Sequence, residues 1–349
     1  MSAEISISVI VPAYKAAHYL ERALPPLIAM RDSGAVTEVI VVDDCSPDPA
    51  TVETARQLGA TVLIMPANGG PGAARNLAAR AAVGDFLWLV DADVVAHETG
   101  PEKIRAAFQD PATGAVFGSY DTNPPERNFA STYKNLVHRY YHQRARGESD
   151  SFWSGCGAVR RKVYLDLGGF DERQFGRPAI EDVEFGHRIR AAGWTIRLTP
   201  DLLGTHLKRW TLAEVMRTDI FQRAIPWSFL ILSGRGVSND LNVSTGERFK
   251  AAMAGLLAVS LLAMIALAFQ PAAVFAFLGF AAIAAALNLP LISFFAGERG
   301  PWFAVRALLY HQVYYLYSST AFALCALAFH LGGRKNYVVS AAREPAAAE

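Results

Sequence analysis

The chain has 349 residues, with 33 lysines and arginines against 32 aspartates and glutamates. A net charge of +1 excludes a strongly basic nucleic-acid-binding protein, and 52% apolar with 19% charged residues excludes a disordered chain. At roughly 100–200 residues per domain, the length predicts two structural units.

The charged residues are unevenly distributed along the chain. The last 99 residues, from Ala251 onward, contain 8 of them, whereas the first 250 residues are about 23% charged. The second value is close to the roughly 25% that is usual for soluble domains. The composition therefore predicts a soluble domain followed by an apolar region.

The N-terminus and the cysteines bear on the cellular compartment. The apolar run Ile5–Val11 follows Glu4 and has no basic residues before it, so it is predicted to be a strand and not a signal peptide. Cys45, Cys156 and Cys325 show no paired spacing, which supports neither a disulfide framework nor a structural zinc site. A reducing compartment is expected.

Short β-branched runs alternate with helical patterns over the first 90 residues. Strands are predicted over Ile5–Val11, Val39–Val42, Val62–Ile64 and Phe86–Val90, and helices over about His18–Met30, Ala50–Leu58 and Pro71–Val83. This alternation at this spacing predicts a parallel α/β sheet. Ligands of such sheets bind outside the carboxyl ends of the strands.

Polar residues follow these strands at the predicted ends. Asp43 and Asp44 follow the second strand, a glycine-rich loop at 68–76 follows the third, and Asp91-Ala92-Asp93 follows the fourth. The first pair could cap a helix, and the glycines could form an ordinary turn. Two carboxylates at a strand end favour a magnesium or manganese site or nucleotide binding over a solvated turn.

Charged residues farther along the chain allow two interpretations each. Glu184 and Arg188 have the i,i+4 spacing of an exposed helical ion pair. His206 is either a structural histidine or a third metal ligand. The segment Leu212–Leu232 mixes basic and apolar residues, as in a helix at a membrane surface, although a packing helix with solvated arginines fits as well. The arginines that could face lipid headgroups or a lipid phosphate are Arg209, Arg217 and Arg223.

The apolar region is predicted to enter a membrane. Ala251–Gly297 has no charged residue over about 47 positions, and Gln270-Pro271 divides it into two spans of about 251–269 and 272–295. Ala307–Gly333 is predicted as a third span, with an interfacial or re-entrant helix as the alternative.

The basic residues that flank these spans predict their orientation. Arg248 and Lys250 precede the first span, and Arg299 and Arg306 follow the second, which places the N-terminal domain in the cytoplasm. A complete third span would put the basic pair at 334 and 335 outside, against the same rule. The chain is predicted to be an integral protein of a membrane, with a bacterial inner membrane expected.

Five motifs in order carry a resemblance to a known family. The sequence resembles glycosyltransferase family 2, inverting enzymes of GT-A fold that use nucleotide-activated sugars. The similarity covers about residues 5–210. The motifs are Val-Ile-Val-Pro-Ala-Tyr at 9–14, Val-Ile-Val-Val-Asp-Asp-Cys-Ser at 39–46, Gly-Gly-Pro-Gly-Ala-Ala-Arg-Asn at 69–76, Leu-Val-Asp-Ala-Asp at 89–93, and Glu181-Asp182.

The resemblance completes a domain prediction. An α/β GT-A (Rossmann-like) nucleotide-sugar-binding domain over 1–210 is followed by an interfacial helix and linker over 211–249. Transmembrane helices over 250–333 and a polar tail over 334–349 complete the chain.

The resemblance also implies residues that bind the donor. Pro12, Tyr14 and Asp44 match the positions that hold the nucleobase, with Asp44 accepting hydrogen bonds from the base. Gly70 and Arg75 fall in the loop that lies against the nucleotide.

The remaining roles implied by the resemblance concern the reaction itself. Asp91 and Asp93 match the D-x-D motif, which engages the ribose and a divalent cation, magnesium or manganese. Asp182 matches the catalytic base, and the neighbouring Glu181 is expected to orient it on the acceptor side. The small-residue loop expected to line the acceptor side includes Trp153, Gly155 and Cys156.

The sequence departs from the family's processive polysaccharide synthases. These carry Q-x-x-R-W after the base, whereas residues 222–227 read Gln-Arg-Ala-Ile-Pro-Trp. We therefore expect transfer of a single sugar from a UDP- or GDP-sugar to a membrane-associated acceptor, such as a polyprenyl phosphate, a glycolipid or a lipid-linked saccharide. No nucleic acid partner is expected.

Two rival functions follow from the same residues. A nucleotidyltransferase would also combine an α/β fold with carboxylates and a metal, but residues 12–16 lack a basic phosphate-binding signature. A catalytically silent nucleotide-binding membrane scaffold is the second rival, and the intact Asp91, Asp93 and Asp182 argue against it.

Overall fold

The computed structural model describes residues 5–144, 147–234, 241 and 244–331. Within these ranges the chain divides into two compact units, one of residues 5–126 and 142–209 and one of residues 127–141 and 210–331. The predicted polar tail, 334–349, lies outside the described residues.

A single sheet forms the centre of the first unit. Its strands in the described part of the chain are β1 (Ile7–Ala13), β2 (Glu38–Asp43), β3 (Thr61–Ile64), β4 (Phe86–Val90), β5 (Val94–Ala96), β6 (Thr113–Tyr120), β7 (Gly147–Ser149), β8 (Cys156–Arg160) and β9 (Thr195–His206). The spatial order is β3-β2-β1-β4-β8-β6-β9-β5, and β7 pairs with β9.

Helices flank the sheet and form the second unit. They are α1 (Ala17–Asp32), α2 (Ala50–Gln57), α3 (Gly70–Ala81), α4 (Gly100–Ala107), α5 (Phe129–Arg144), α6 (Arg161–Asp166), α7 (Glu181–Ala191), α8 (Leu212–Arg217), α9 (Ile225–Leu232), α10 (Thr245–Ala266), α11 (Pro271–Leu287), α12 (Leu289–Arg299) and α13 (Pro301–Leu331). A π-helical segment, Thr218–Ala224, joins α8 to α9.

The four predicted strands and three predicted helices are confirmed to within a few residues. β1 pairs in parallel with β2 and β4, and β2 pairs in parallel with β3, as the alternation predicts. The prediction of an entirely parallel sheet is wrong. β8 runs antiparallel to both β4 and β6, and both β5 and β7 run antiparallel to β9. Parallel pairing needs a crossover connection, and only the first part of the chain has that regular alternation.

The central strands are buried on both faces, which explains their unbroken apolar runs. All seven residues of β1 are buried. Val9 and Val11 belong to the apolar cluster that contains Leu20 of α1, whereas Ile10 belongs to the cluster that contains Ala74 of α3. Successive side chains of a strand point to opposite faces, so one strand holds helices on both sides of the sheet.

A buried asparagine fixes α3 to a distant turn. The Asn76 side-chain oxygen accepts hydrogen bonds from the Phe170 backbone N–H (2.9 Å) and the Tyr164 hydroxyl (2.6 Å). Its amide nitrogen donates to the Phe170 carbonyl (2.9 Å) and to Glu172 Oε1 (2.7 Å). Because these four bonds satisfy the whole side chain, the turn at 164–172 is tied to the helix that follows the glycine-rich loop.

The helices of the second unit differ in part from the predicted membrane spans. Among the described residues, α10 is the one helix long and apolar enough to cross a membrane, and α11 with α12 meets this criterion only as a pair bent by 67°. The predicted second span, 272–295, is therefore not one straight helix. Asn288 lies at the break, where its side chain donates to the Ala284 carbonyl, and Pro290 follows without a backbone N–H. Of the predicted third span, residues 307–331 belong to α13, and its last two residues lie outside the described ranges.

Two adjacent glycines test the Asn76 contact. Both have left-handed backbones, but a Cβ at Gly169 would lie 2.2 Å from Asn76 Oδ1, whereas a Cβ at Gly168 meets nothing within 4 Å. We expect Gly168→Ala to lower the free energy of unfolding by about 1 kcal/mol, because alanine disfavours the left-handed backbone. Gly169→Ala should lower it by about 3 kcal/mol, because its Cβ also displaces Asn76 from its hydrogen bonds. Thermal unfolding of the full chain measures both, and equal losses would contradict the role given to Asn76.

Candidate active site

The candidate site lies at the carboxyl ends of β1, β2 and β4, where the sequence predicts it. Tyr14 directly follows β1 and is 41% exposed, whereas Pro12 is buried within β1 beside Val42. The loops after β1 and β2 are joined, because the Lys15 N–H donates to Ser46 Oγ at 2.9 Å. The structure thus brings the predicted nucleobase residues to one edge of the sheet, although Pro12 presents no exposed surface there.

Asp44 ties the glycine-rich loop to the end of β2. Its carboxylate oxygens accept hydrogen bonds from the backbone N–H groups of Gly69 (2.8 Å) and Gly70 (2.9 Å). Burial raises the pKa of Asp44, although these two hydrogen bonds act in the opposite direction. Asp44 therefore has a structural task in the folded chain, and its predicted contact with a nucleobase stays a prediction.

Gly70 is required where α3 begins. Its φ is +83°, and a Cβ there would lie 3.0 Å from the carbonyl oxygen of Gly176. A residue with a side chain would meet both the left-handed backbone and this neighbour. The close approach lets α3 start directly against the segment that leads to α7.

Arg75 lies at the centre of the site. Its side chain is 3% exposed, its Nη2 donates to Asp91 Oδ1, and its Nη1 lies 3.6 Å from Glu181 Oε1. Its Nε and Nη1 are buried without a hydrogen-bond partner. Buried donors of a guanidinium normally make hydrogen bonds, so these two nitrogens indicate a place for an anion.

The D-x-D motif forms a turn that is anchored to β9. The Asp91 carbonyl accepts from the Val94 N–H, the Asp93 carbonyl accepts from the Leu207 N–H (2.8 Å), and His206 Nε2 lies 3.5 Å from Asp93 Oδ2. Burial raises the pKa of Asp91 despite the nearby Arg75. Burial also acts to raise the pKa of Asp93, but the charge and hydrogen bond of His206 outweigh it and lower that pKa.

These side chains fit a divalent cation that is shared with an anionic ligand. Asp91, Asp93 and His206 supply the oxygen and nitrogen donors that suit magnesium or manganese. Within the described ranges, no three His, Cys, Asp or Glu side chains converge as a ready-made cage. A cation here would take its remaining ligands from the anion that binds Arg75. Ligation by His206 stays a prediction.

Asp182 is held at the start of α7 by the loop predicted to line the acceptor side. Its Oδ2 accepts from the Ser154 backbone N–H (3.0 Å) and from Ser154 Oγ (3.2 Å). Its Oδ1 accepts from the Val183 N–H (2.9 Å). These bonds orient the carboxylate, while the residue remains partly exposed.

The neighbouring Glu181 is buried and interacts with Arg75. Its Oε2 accepts from the Ala179 N–H (2.8 Å), and burial together with the charge of Asp182 raises its pKa to about 7. The Glu181 carboxylate therefore contacts Arg75 from the buried side of the site.

Residues 153–156 form a tightly packed loop that leads into β8. A Cβ at Gly155 would lie 2.6 Å from the Trp153 ring, so the glycine is needed for the indole to lie against the loop. The Cys156 side chain is fully buried in the apolar core, and burial raises the pKa of its thiol to about 12. The thiol lies in the core, and the predicted place of this loop on the acceptor side stays a prediction.

Three contributors to the site were not assigned roles from the sequence. Asn76 fixes α3, Ser154 orients Asp182, and Tyr120 stacks on His206 with ring centroids 4.5 Å apart. Asn76 ends the glycine-rich motif at 69–76, and Ser154 lies in the loop that is expected to line the acceptor side. Their partners are 28 to 96 positions away, so no local pattern indicates the contacts.

Comparison with known proteins identifies the domain that carries this site. Residues 8–168 match the sequence profile of the family described as Glycosyl transferase family 2. This stretch is a glycosyl transferase family 2 domain. The family 2 domain contains all the site residues named above up to Tyr164, while Glu181, Asp182 and His206 follow it.

Curated relatives match parts of the family 2 domain and its extension. The chain is 34% identical over 105 residues to the succinoglycan biosynthesis protein ExoO of Rhizobium meliloti, which covers 30% of this chain and 29% of that protein. It is 36% identical over 191 residues to an uncharacterized glycosyltransferase of Haemophilus influenzae, which covers 51% and 60%. In both cases the match spans less than two thirds of the relative.

A solved structure has the same fold over most of the chain. The mannosyltransferase PcManGT of Pyrobaculum calidifontis, in complex with GDP-Man and Mn2+, superimposes with a TM-score of 0.62. The match covers 92% of this chain and 88% of that one at 22% identity. The predicted fold class, a GT-A domain followed by a helical region, is confirmed.

The raised pKa of Glu181 predicts a pH dependence of stability. A carboxyl whose pKa is higher in the folded state than in the unfolded chain stabilises the fold most below the unfolded value, near 4.5, and this stability is lost as the pH rises to about 7. We expect the wild-type chain to lose up to about 3 kcal/mol over this window relative to Glu181→Gln, which cannot ionise. Unfolding of both proteins between pH 4.5 and 8 measures the difference, and parallel pH profiles would contradict it.

Proposed function

We propose that the chain is an inverting glycosyltransferase that moves one sugar from a UDP- or GDP-sugar to a lipid-linked acceptor hydroxyl, with magnesium or manganese as cofactor. One observation carries the proposal: Asp182 is oriented by Ser154 and adjoins Glu181, which faces Arg75 and through it Asp91. A candidate base and a candidate anion site thus meet at the carboxyl edge of one sheet.

The donor would bind through its diphosphate. Arg75 has two buried nitrogens, Nε and Nη1, that make no hydrogen bond beside Asp91, and a guanidinium fork suits phosphate oxygens. The exposed Tyr14 ring lies farther along the same edge, where a base could rest against it. The family 2 domain and a fold shared with a GDP-mannose-bound enzyme support a nucleotide-sugar donor.

The transfer is a single displacement at the sugar's anomeric carbon. The acceptor oxygen bonds to that carbon, its proton passes to Asp182, and the bond to the diphosphate oxygen breaks so that the nucleoside diphosphate leaves with the electron pair. A base on the face opposite the leaving group gives inversion. A bound divalent cation would neutralise the charge that develops on the leaving diphosphate.

Arg75 and Ser154 have separate tasks in this reaction. Arg75 would hold the leaving diphosphate. Its guanidinium is already held in place by Asp91 and by burial, so the side chain needs little reorganisation during the reaction. Ser154 holds Asp182 by two hydrogen bonds to one oxygen, which directs the carboxylate toward the acceptor. A general base helps only an acceptor that loses a proton as it reacts. A sugar hydroxyl does so, whereas a phosphate is already ionised, which favours a glycolipid or lipid-linked saccharide over a polyprenyl phosphate as the acceptor.

The helical unit supports a lipid acceptor. α10 has the length and composition of a membrane span, and an apolar groove of about 660 Å³ lies between the segment 216–229 and α13. Large apolar side chains at its walls are exposed, among them Phe221 (60%) and Leu324 (62%). Arg217 and Arg223 are exposed on the same helical segment, where a lipid phosphate could meet them.

A donor screen tests the proposal directly. The purified full chain with Mn2+, a lipid extract and a set of UDP- and GDP-sugars is assayed for released nucleoside diphosphate. We expect release with one donor class and a loss of about 10²–10⁴-fold in kcat for Asp182→Asn, because the variant keeps its shape but cannot accept the proton.

Glu184→Gln is the matched control, since Glu184 lies on the same helix and pairs at 2.8 Å with Arg188 away from the base. It should retain the wild-type rate. Release stimulated by polyprenyl phosphate alone, and not by lipid-linked saccharides, would refute the hydroxyl acceptor. Absence of release with every donor, or an unaffected Asp182→Asn, would refute the proposed function.

A further inference from the structure

We propose that Tyr120 is a positioning residue whose ring holds the imidazole of His206 and the indole of Trp153 together, so that the cation side and the acceptor side of the site depend on one side chain. This inference rests on the proposed function, because it concerns binding of the cation and of the acceptor. The proposal does not require Tyr120 to contact the cation or the acceptor.

The first contact is a parallel stack. Tyr120 ends β6, is 8% exposed, and lies with its ring centroid 4.5 Å from that of His206 at an interplanar angle of 17°. Backbone pairing of His206 with Val94 fixes the position of its Cα but does not set the rotamer of its side chain. The flat face of Tyr120 restricts that rotation and keeps the imidazole beside Asp93.

The second contact is an edge-to-face arrangement. The Trp153 ring lies 4.9 Å from Tyr120 at 85° and 5.2 Å from His142 at 83°. His142 is itself fixed, since its Nδ1 lies 2.8 Å from the Gly118 carbonyl oxygen. Trp153 is thus held between two rings, and the next residue in the chain is Ser154, which orients Asp182.

The two contacts together connect distant parts of the sequence. Loss of the Tyr120 ring would remove one packing contact from His206 and one from Trp153, while the backbone hydrogen bond of Asp93 and the side-chain hydrogen bonds of Asp182 would remain. A role limited to packing would lower stability without a common effect on cation and acceptor. A positioning role predicts that both binding constants worsen together.

The experiment measures Mn2+ binding without turnover. Free Mn2+ is followed by electron paramagnetic resonance with the full chain and UDP, and then with GDP, for the wild type, Tyr120→Leu and Tyr120→Phe. We expect Tyr120→Leu to weaken Mn2+ binding at least fivefold and to raise the acceptor KM in the assay above. Tyr120→Phe keeps the ring and should stay within twofold of the wild type.

Phe108→Leu is the control for packing. Phe108 is buried in the same apolar cluster as Tyr120 and packs on Phe86, so its loss should lower the melting temperature but leave Mn2+ binding unchanged. In a His206→Ala background, Tyr120→Leu should cause no further loss of Mn2+ binding, because the ring acts through the imidazole.

Four results would overturn the inference. They are wild-type Mn2+ binding by Tyr120→Leu, an unchanged acceptor KM for that variant, an equal loss in Tyr120→Phe, or an additional loss in the His206→Ala background. If the wild-type chain binds no Mn2+ with either nucleotide, the proposed function fails and this inference fails with it.

Discussion

The site depends on one buried cation and the two carboxylates that it faces. Arg75 donates to Asp91 and lies 3.6 Å from Glu181, with almost no access to water. Removing either carboxylate would leave this buried charge with one partner instead of two, which destabilises the fold because water cannot replace the lost contact. The interaction thus links α3, the end of β4 and the start of α7, and each of these elements supplies a residue of the proposed chemistry.

The surrounding structure keeps the guanidinium in place. Asn76 ties α3 to the turn at 164–172, and Asp44 holds the glycine-rich loop from which the helix starts. Arg75 also lies over the Phe170 ring at 5.7 Å, so the turn that Asn76 fixes contacts the arginine directly. Two of the arginine's donor nitrogens remain without a hydrogen-bond partner in this arrangement, and they account for the affinity for a phosphate that we propose.

Local patterns were sufficient to predict the first four strands and the helix that follows the glycine-rich loop. The β-branched runs, such as Val39–Val42, end at polar residues because each strand leaves the core there, and this locates Asp44 and Asp91 without any long-range information. The resemblance then placed Asp182 with them, although nothing in its local sequence indicates proximity to β4.

Contacts between distant residues could not be predicted in the same way. The antiparallel direction of β8, the bonds of Asn76 and the burial of the Cys156 thiol all follow from how segments far apart in the chain pack together. The helical residues 127–141 likewise group with the helices after residue 209, and the break at Asn288 reflects one proline in an otherwise uniform apolar run. Composition and periodicity carry no information about such pairings.

The most direct measurement is calorimetric binding of UDP and GDP, each with Mn2+, to the full chain and to Arg75→Lys. Lysine keeps the positive charge but loses the guanidinium fork, so we expect at least tenfold weaker binding, or about 1.4 kcal/mol, of the nucleotide that the wild type prefers. Arg80→Lys, at a largely exposed position of the same helix, should bind as the wild type does. Equal binding by Arg75→Lys, or no binding of either nucleotide by the wild type, would contradict the assignment of this site.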